Sequence, residues 1–356
     1  MFIQKPFLAA LFSMLLFCLL AGCGPDSKPL ITATATVNLF GLSQAEYNSL
    51  ASLQKLDDYP LYVMHFRGDY PPQTNLPQTE RTFESLVPAA AACGLPWGCS
   101  LFAALGDENN RLYGRNFDWR FSPALLLFVA PSDGYASVSM VDITYLGFEG
   151  EASKDLLGLP IPERRALLEA PFLTFDGMNE KGVAVGMAAV PPGEMQFDPN
   201  KKTLDQVMII REILDHAATV KEALEILGSY NIDMGNVPIH YLVASVSGES
   251  ALVEFYRGEM QVFRNKSAWQ QATNFLVAST NGRAEGLCWR YDLIGQRLGA
   301  VGGALASQDA LSLLADVSQE NTQWSVVYNL TSGEIKIVMG REYSGKIHLL
   351  SLDQVR

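Results

Sequence analysis

Histidine is scarce in this sequence, and basic charge is outweighed. The four histidines, His65, His216, His240 and His348, lie far apart, and no cysteine or histidine pair has zinc-ligand spacing. No structural or catalytic metal is expected. Lys and Arg number 26 against 38 Asp and Glu, for a formal charge of -12. That balance lacks the basic footprint of a nucleic-acid binder and gives weak reason to expect anionic polymers as substrates. There is no glycine-rich phosphate loop, no βαβ alternation and no internal repeat, so no nucleotide cofactor or other cofactor is expected. Cysteine is also sparse: beyond Cys18 and Cys23 only Cys93, Cys99 and Cys288 remain. At most one pair can form, Cys93 with Cys288 among the candidates, and one thiol is left over.

What is present begins with a targeting segment. Lys5 precedes an apolar run from Phe7 to Leu20, which is shorter than the roughly 20 residues of a transmembrane helix. It ends Leu20-Ala21-Gly22-Cys23 and resembles a bacterial lipoprotein signal, in which the cysteine is lipidated and becomes the new N-terminus. The resemblance implies a signal over residues 1–22, a lipid anchor at Cys23 and a place in the bacterial cell envelope, outside the cytoplasm. Residues 23–42 read as a tether and residues 43–98 as a leader preceding the main domain, 99–356. In the leader, Ser43 to Asp57 reads as a helix with Ser43 and Glu46 in a capping box, and Leu61 to Phe66 as a strand. Residues 67–82 read as a polar, proline-rich loop, and 83–96 as an apolar run.

Residues 98–119 hold the chemistry. Cys99 opens an apolar run, a polar turn follows over Gly106 to Asn110, and a second run carries Arg115 and Asp118. Two strands joined by that turn would bring the arginine and aspartate beside the thiol. A nucleophilic thiol needs a neighbour that favours thiolate and a group that orients its base. The same spacing also fits a buried strand cysteine with an ordinary ion pair nearby.

Further strand signals fall at Leu125 to Val129, Ala136 to Val141, Val183 to Val190, Tyr241 to Val246, Ala251 to Tyr256, and Met260 to Phe263. The closing ones are Gln323 to Asn329, Glu334 to Met339, and Lys346 to Leu350. Helical patterns fall at Pro162 to Ala170, Thr203 to His216, from Thr219 to near Gly228, from Cys288 to Leu298, and at Ser307 to Val317. Asn179 sits in a polar turn at the lip of a strand. Antiparallel strands with helices set apart from them make an α+β arrangement.

Six blocks stand in order along 99–356: Gly98-Cys99-Ser100, Gly114-Arg115-Asn116-Phe117-Asp118-Trp119, Asp176-Gly177-Met178-Asn179-Glu180-Lys181-Gly182, His240-Tyr241-Leu242-Val243-Ala244, Thr273-Asn274-Phe275, and Trp289-Arg290-Tyr291. In these the chain resembles the N-terminal-nucleophile hydrolases of linear amides: bile-salt hydrolase, penicillin V acylase, the fungal penicillin acyltransferase, and the acid-ceramidase group. The resemblance implies a four-layer αββα sandwich. It implies self-cleavage between Gly98 and Cys99, a Cys99 nucleophile, and the Cys99 α-amine as general base. An α-amine near pKa 7.7 and a thiol near about 8.5 exchange a proton at little cost close to neutrality.

By the same resemblance Asp118 orients the ammonium, and Arg115 sits by the thiol. Asn179 donates to the oxyanion, Asn274 is its partner or a ligand of the α-amine, and Arg290 stabilises the site's negative charges. The implied substrate is a small N-acyl amide, cleaved through a thioester on Cys99. One departure is the leader: bile-salt hydrolases begin directly with the cysteine, whereas acid ceramidases carry a segment that is cleaved yet stays attached. An acyltransferase using the same thioester, or a non-catalytic ligand-binding lipoprotein, are the competing readings. Oligomeric state is not legible.

Overall fold

Strands that are apolar on both faces need cover on both sides, and the central strands here are of that kind. In β3 (Gly98–Ala104), Cys99, Leu101 and Ala103 join one core, while Phe102 and Ala104 join a second with Ile294, Leu298 and Leu314. The alternation follows from the two-residue period of a strand. A sheet buried this way must lie between another sheet and a helical layer.

The computed structural model describes residues 41–70, 98–235 and 237–355. A six-stranded antiparallel sheet runs in the order β14 (Trp269–Ala272), β3, β4 (Leu112–Asp118), β15 (Thr322–Asn329), β16 (Glu334–Met339), β17 (His348–Ser351). Facing it is a nine-stranded sheet in the order β1 (Gln54–Asp57), β2 (Leu61–Phe66), β5 (Ala124–Val129), β6 (Ser137–Asp142), β7 (Asp176–Asn179), β8 (Val183–Ala189), β11 (Ile239–Ser245), β12 (Ser250–Tyr256), β13 (Glu259–Arg264). A small parallel pair, β9 (Thr203–Asp205) and β10 (Asn231–Asp233), stands beside it. Helices α2 (Met208–His216) and α3 (Val220–Ser229) cover the larger sheet, and α4 (Trp289–Ala300) and α5 (Ser307–Asp316) cover the smaller. The result is the expected four-layer αββα sandwich.

The leader is built into this sheet. Its strand β2 pairs in parallel with β5, Leu61 opposite Ala124 through Phe66 opposite Val129. Leu61, Tyr62 and Met64 are fully buried there. The helix expected over Ser43 to Asp57 is shorter: α1 (Gln44–Ala51) has the Ser43–Glu46 capping box but stops at Ser52, and Gln54 to Asp57 turn back as edge strand β1. The helix expected over Thr203 to His216 likewise begins late, at Met208, because Thr203 to Asp205 pair with β10. The Pro162 to Ala170 helix is a 3-10 segment, Ile161–Phe172, with Pro171 inside it. The polar turn expected at Asn179 is present, with the Gly182 N–H bonded to the Asn179 carbonyl (2.9 Å), and Asp176–Asn179 form strand β7 leading into it. The expected signal (1–22), most of the tether, the 83–96 run and Cys93 lie outside the described residues; Cys288 is buried.

Asp142, at the end of β6, caps the 3-10 turn that follows. Its Oδ1 accepts from the Thr144 N–H (2.9 Å) and Thr144 Oγ1 (2.8 Å), yet burial pushes its pKa up to about 6. A carboxyl raised in the folded state stabilises the fold least once ionised. Stability therefore falls as pH rises from about 4 to about 6. Comparing the protein with Asp142→Asn by urea unfolding should show the balance shifting toward the variant by about 2 kcal/mol between pH 4 and pH 7. A pH-independent difference would refute this.

Candidate active site

The site starts from the β3–β4 hairpin. The pairing sets Gly98 opposite Asp118, Cys99 opposite Phe117 and Leu101 opposite Arg115. This register points Cys99, Arg115 and Phe117 into the space between the sheets. Gly114 is required on the opposite face, where a Cβ would lie 2.4 Å from the Phe102 ring.

Arg115 is wholly buried and crosses to the other sheet. Its Nη1 donates to the Phe175 carbonyl (2.9 Å) and pairs with Asp176, while Nη2 donates to Cys99 Sγ at 3.6 Å. The Phe117 ring lies 5.0 Å below the guanidinium. Burial opposes the Arg115 charge, but Asp176 and the Cys99 sulfur outweigh it and hold the proton more firmly. Burial raises the Asp176 pKa, against the pull of Arg115 and Tyr328, whose hydroxyl donates to Oδ1 at 2.5 Å.

A second cluster grips the backbone at the cysteine. Arg290, in the first turn of α4, donates from Nη1 to the Cys99 carbonyl (2.9 Å) and Ser100 Oγ (3.1 Å), and from Nη2 to Asn274 Oδ1 (2.9 Å). The same Asn274 oxygen accepts the Cys99 N–H at 2.8 Å, and Asn274 Nδ2 donates to the Ala189 carbonyl at 2.7 Å. Asp118 accepts from Thr322 Oγ1 (2.5 Å) and Gln319 Nε2 (2.8 Å), with Arg290 Nη1 at 3.4 Å. Burial raises the Asp118 pKa; Thr322, Arg290 and Gln319 work against it. The turn after Asn274 is itself anchored: Glu254 accepts from the N–H groups of Val277 (2.9 Å) and Ala278 (2.8 Å) and pairs with buried His240 at 3.1 Å.

Five of the six expected residues thus meet at Cys99, and Asn179 does not. Asn179 Nδ2 donates to the carbonyls of Leu214 (2.9 Å) and Ala217 (2.8 Å), and its oxygen accepts from the N–H groups of Lys181 and Val183. Both amide hydrogens tie β7 to the end of α2, so none is left for an oxyanion. Asn274 holds the Cys99 N–H through its oxygen and keeps one amide hydrogen uncommitted. Asp176, Gln319 and Thr322 were not anticipated. Asp176 lay in a motif quoted for its neighbour, and the other two carry no local signal. Among the described residues no group of three His, Cys, Asp or Glu stands ready for a metal.

Beside the thiol opens a small apolar cavity of about 40 Å³, walled chiefly by Phe117, Phe175, Met187, Val237 and Ile239. A buried thiol under a guanidinium, its own backbone nitrogen held by an amide, and an apolar cavity alongside suit attack on an acyl group.

An αββα sandwich with this cysteine on an inner strand has the architecture of the N-terminal-nucleophile hydrolases. The model of the linear amide C–N hydrolases, choloylglycine hydrolase family, matches residues 99–281. Among solved structures, a mutant of the conjugated bile acid hydrolase from Clostridium perfringens is 16% identical with a TM-score of 0.52, covering 72% of this chain and 93% of that one. Penicillin V acylase from Agrobacterium tumefaciens is 14% identical with a TM-score of 0.50, covering 72% and 87%. No curated protein matches the sequence. The chain belongs to the choloylglycine hydrolase family, whose members hydrolyse linear amide C–N bonds.

Proposed function

We propose that this protein hydrolyses small N-acyl amides through a thioester on Cys99, after cutting its own chain between Gly98 and Cys99. In the maturation step the Cys99 thiolate attacks the Gly98 carbonyl, and the acyl group moves from nitrogen to sulfur. Water then releases the Gly98 carboxylate and leaves Cys99 with a free α-amine. In turnover that amine takes the thiol proton and the thiolate attacks the substrate carbonyl. The amine product leaves with a proton, and water hydrolyses the thioester. Arg115 favours the thiolate, Asn274 and Asp118 keep the amine in place, and Arg290 holds the Cys99 carbonyl and the Asp118 charge. The remaining Asn274 amide hydrogen is the donor assigned to the oxyanion, a contact whose loss typically costs about 3 kcal/mol of barrier.

The observation that carries this reading is the 2.8 Å hydrogen bond from the Cys99 nitrogen to Asn274, beside a thiol already under Arg115. The nitrogen that would become the base is held before it is freed. On this reading β2 keeps the leader docked after the cut. The Leu20-Ala21-Gly22-Cys23 motif supports a lipid anchor at Cys23 in a bacterial envelope.

Purified protein incubated with a panel of N-acyl amides should release free amine, and its intact mass should show two pieces parted at Gly98–Cys99. Full activity from an uncut chain would refute the α-amine base. Gly98→Ala tests the cut directly, because its Cβ would lie 2.8 Å from Asn274 Oδ1 and Gln319 Nε2 and 3.2 Å from Arg290 Nη2. We expect cleavage to slow by about tenfold or more, since displacements near 1 Å cost reaction geometry dearly. Cleavage at the parental rate would remove that role for the glycine.

A further inference from the structure

We infer that His240 and Glu254 are positioning residues for the reaction, holding Asn274 where it grips the Cys99 nitrogen. The inference rests on the amide-hydrolase reading above and adds to it two residues that act through Asn274. His240 opens one of the six ordered sequence blocks, and its side chain goes to Glu254 rather than to Cys99. On β11 it is fully buried, with Nδ1 at 3.1 Å from Glu254 Oε1 on the next strand, β12. Glu254 is fully buried too. Its Oε1 accepts the Val277 N–H at 2.9 Å, and its Oε2 accepts the Ala278 N–H at 2.8 Å. An ionised carboxylate only accepts, so the imidazole Nδ1 carries the hydrogen between the two side chains.

These contacts fix one end of a short span. Val277–Thr280 form a 3-10 turn whose own N-cap residue, Leu276, supplies no side-chain cap, and Glu254 takes that task from another strand. At the other end Ala272 of β14 is paired with Leu101 of β3. Asn274 lies between these two fixed points. Its Oδ1 accepts from the Cys99 N–H and from Arg290 Nη2, and its Nδ2 donates to the Ala189 carbonyl. A buried ionisable pair is a costly way to cap one turn, and packed apolar residues often replace such pairs with no loss of stability. What the pair supplies here is place, because a shift of about 1 Å at a reacting group can slow a step about a hundredfold. Asn274 serves self-cleavage by holding the scissile nitrogen and turnover by holding the amine, so both steps depend on the pair. Neither His240 nor Glu254 is among the described residues that line the cavity beside the thiol, so substrate binding is spared.

The test follows Glu254→Gln and His240→Leu in the full chain, with His240→Asn as the conservative variant. Glu254→Gln keeps the shape but turns an NH2 group toward one of the two backbone N–H groups. Self-cleavage and kcat should each fall about tenfold or more, with KM within about twofold of the parent. His240→Leu should lower the same two rates. His240→Asn, whose Nδ2 can stand in for the imidazole Nδ1–H, should recover most of that loss. Urea unfolding gives the folded fraction of each variant, and a loss accounted for by unfolding alone overturns the inference. So does a folded Glu254→Gln with parental cleavage and kcat, or a change confined to KM. Should Glu254→Gln fail to fold, the two His240 variants decide, and equal rates in both overturn the inference. In all these cases an active parent leaves amide hydrolysis standing. If the parent neither cuts itself nor releases amine, the functional reading fails first, and the inference falls with it.

Discussion

Cys99→Ala is expected to leave the chain in one piece and to lower amide hydrolysis by at least about 10⁴-fold. Both losses have one cause on the proposed mechanism, since the thiol that cuts Gly98–Cys99 is the thiol that later carries the acyl group. The substitution is mild for the fold. Residue 99 is 5% exposed, its backbone N–H and carbonyl stay bonded to Asn274 and Arg290, and alanine keeps the Cβ. Circular dichroism and urea unfolding should therefore stay close to the parent while activity and cleavage vanish. Cys99→Ser separates the steps. A hydroxyl in the same place can still cut slowly in a reaction that need occur only once, but turnover repeats the attack and should fall nearly as far as in the alanine variant. Intact-mass measurement over days gives the cutting rate, and amine release gives the turnover. A Cys99→Ala chain that still hydrolyses amides at a substantial fraction of the parent rate would remove the cysteine from the mechanism.

The hairpin around Cys99 was readable because its signals are local. An apolar run, a polar turn and a second run gave β3 and β4, and the turn between them brought Arg115 and Asp118 beside the thiol. Asn274 and Arg290 were reached only through the ordered motifs, since nothing in their own surroundings says that a loop and the first turn of α4 arrive at residue 99. The contacts that complete the site were not readable. Arg115 meets Asp176 across 61 residues, and Asp118 meets Gln319 and Thr322 across 201 and 204. Such pairings follow from how two sheets stack, which no window of sequence contains. Asn179 shows the converse: its motif matched, but the strand it ends lies against α2, and the Leu214 and Ala217 carbonyls take its amide. Among the elements, β1 and β14 were missed for a shared reason. Gln54 to Asp57 and Trp269 to Ala272 are short edge strands, half-exposed and polar, without a run of β-branched residues.

Arg115→Met should be the most destabilising single change at the site, costing about 3–5 kcal/mol in urea unfolding at neutral pH. Methionine fills much of the space but leaves the Asp176 carboxylate fully buried without its cation, supported by the Tyr328 hydroxyl. Asp176 already sits above the usual carboxylate range because of burial, and losing Arg115 removes the largest force holding it down. The deficit should therefore shrink as the pH falls toward about 4 and close below it, where the carboxyl is protonated in the folded and unfolded chains alike. Asp176→Asn in the same background should restore most of the stability, because an uncharged pair replaces a stranded charge. It should not restore catalysis, since the cation 3.6 Å from Cys99 Sγ is still missing; kcat/KM in the double variant should stay about 10²-fold or more below the parent. If the double variant is as unstable as Arg115→Met alone, the cost lies in packing rather than in the Asp176 charge. If it regains activity along with stability, Arg115 serves the fold and not the thiol. The split between the two recoveries is what assigns one guanidinium to both tasks, Nη1 holding the sheets together and Nη2 tuning the nucleophile.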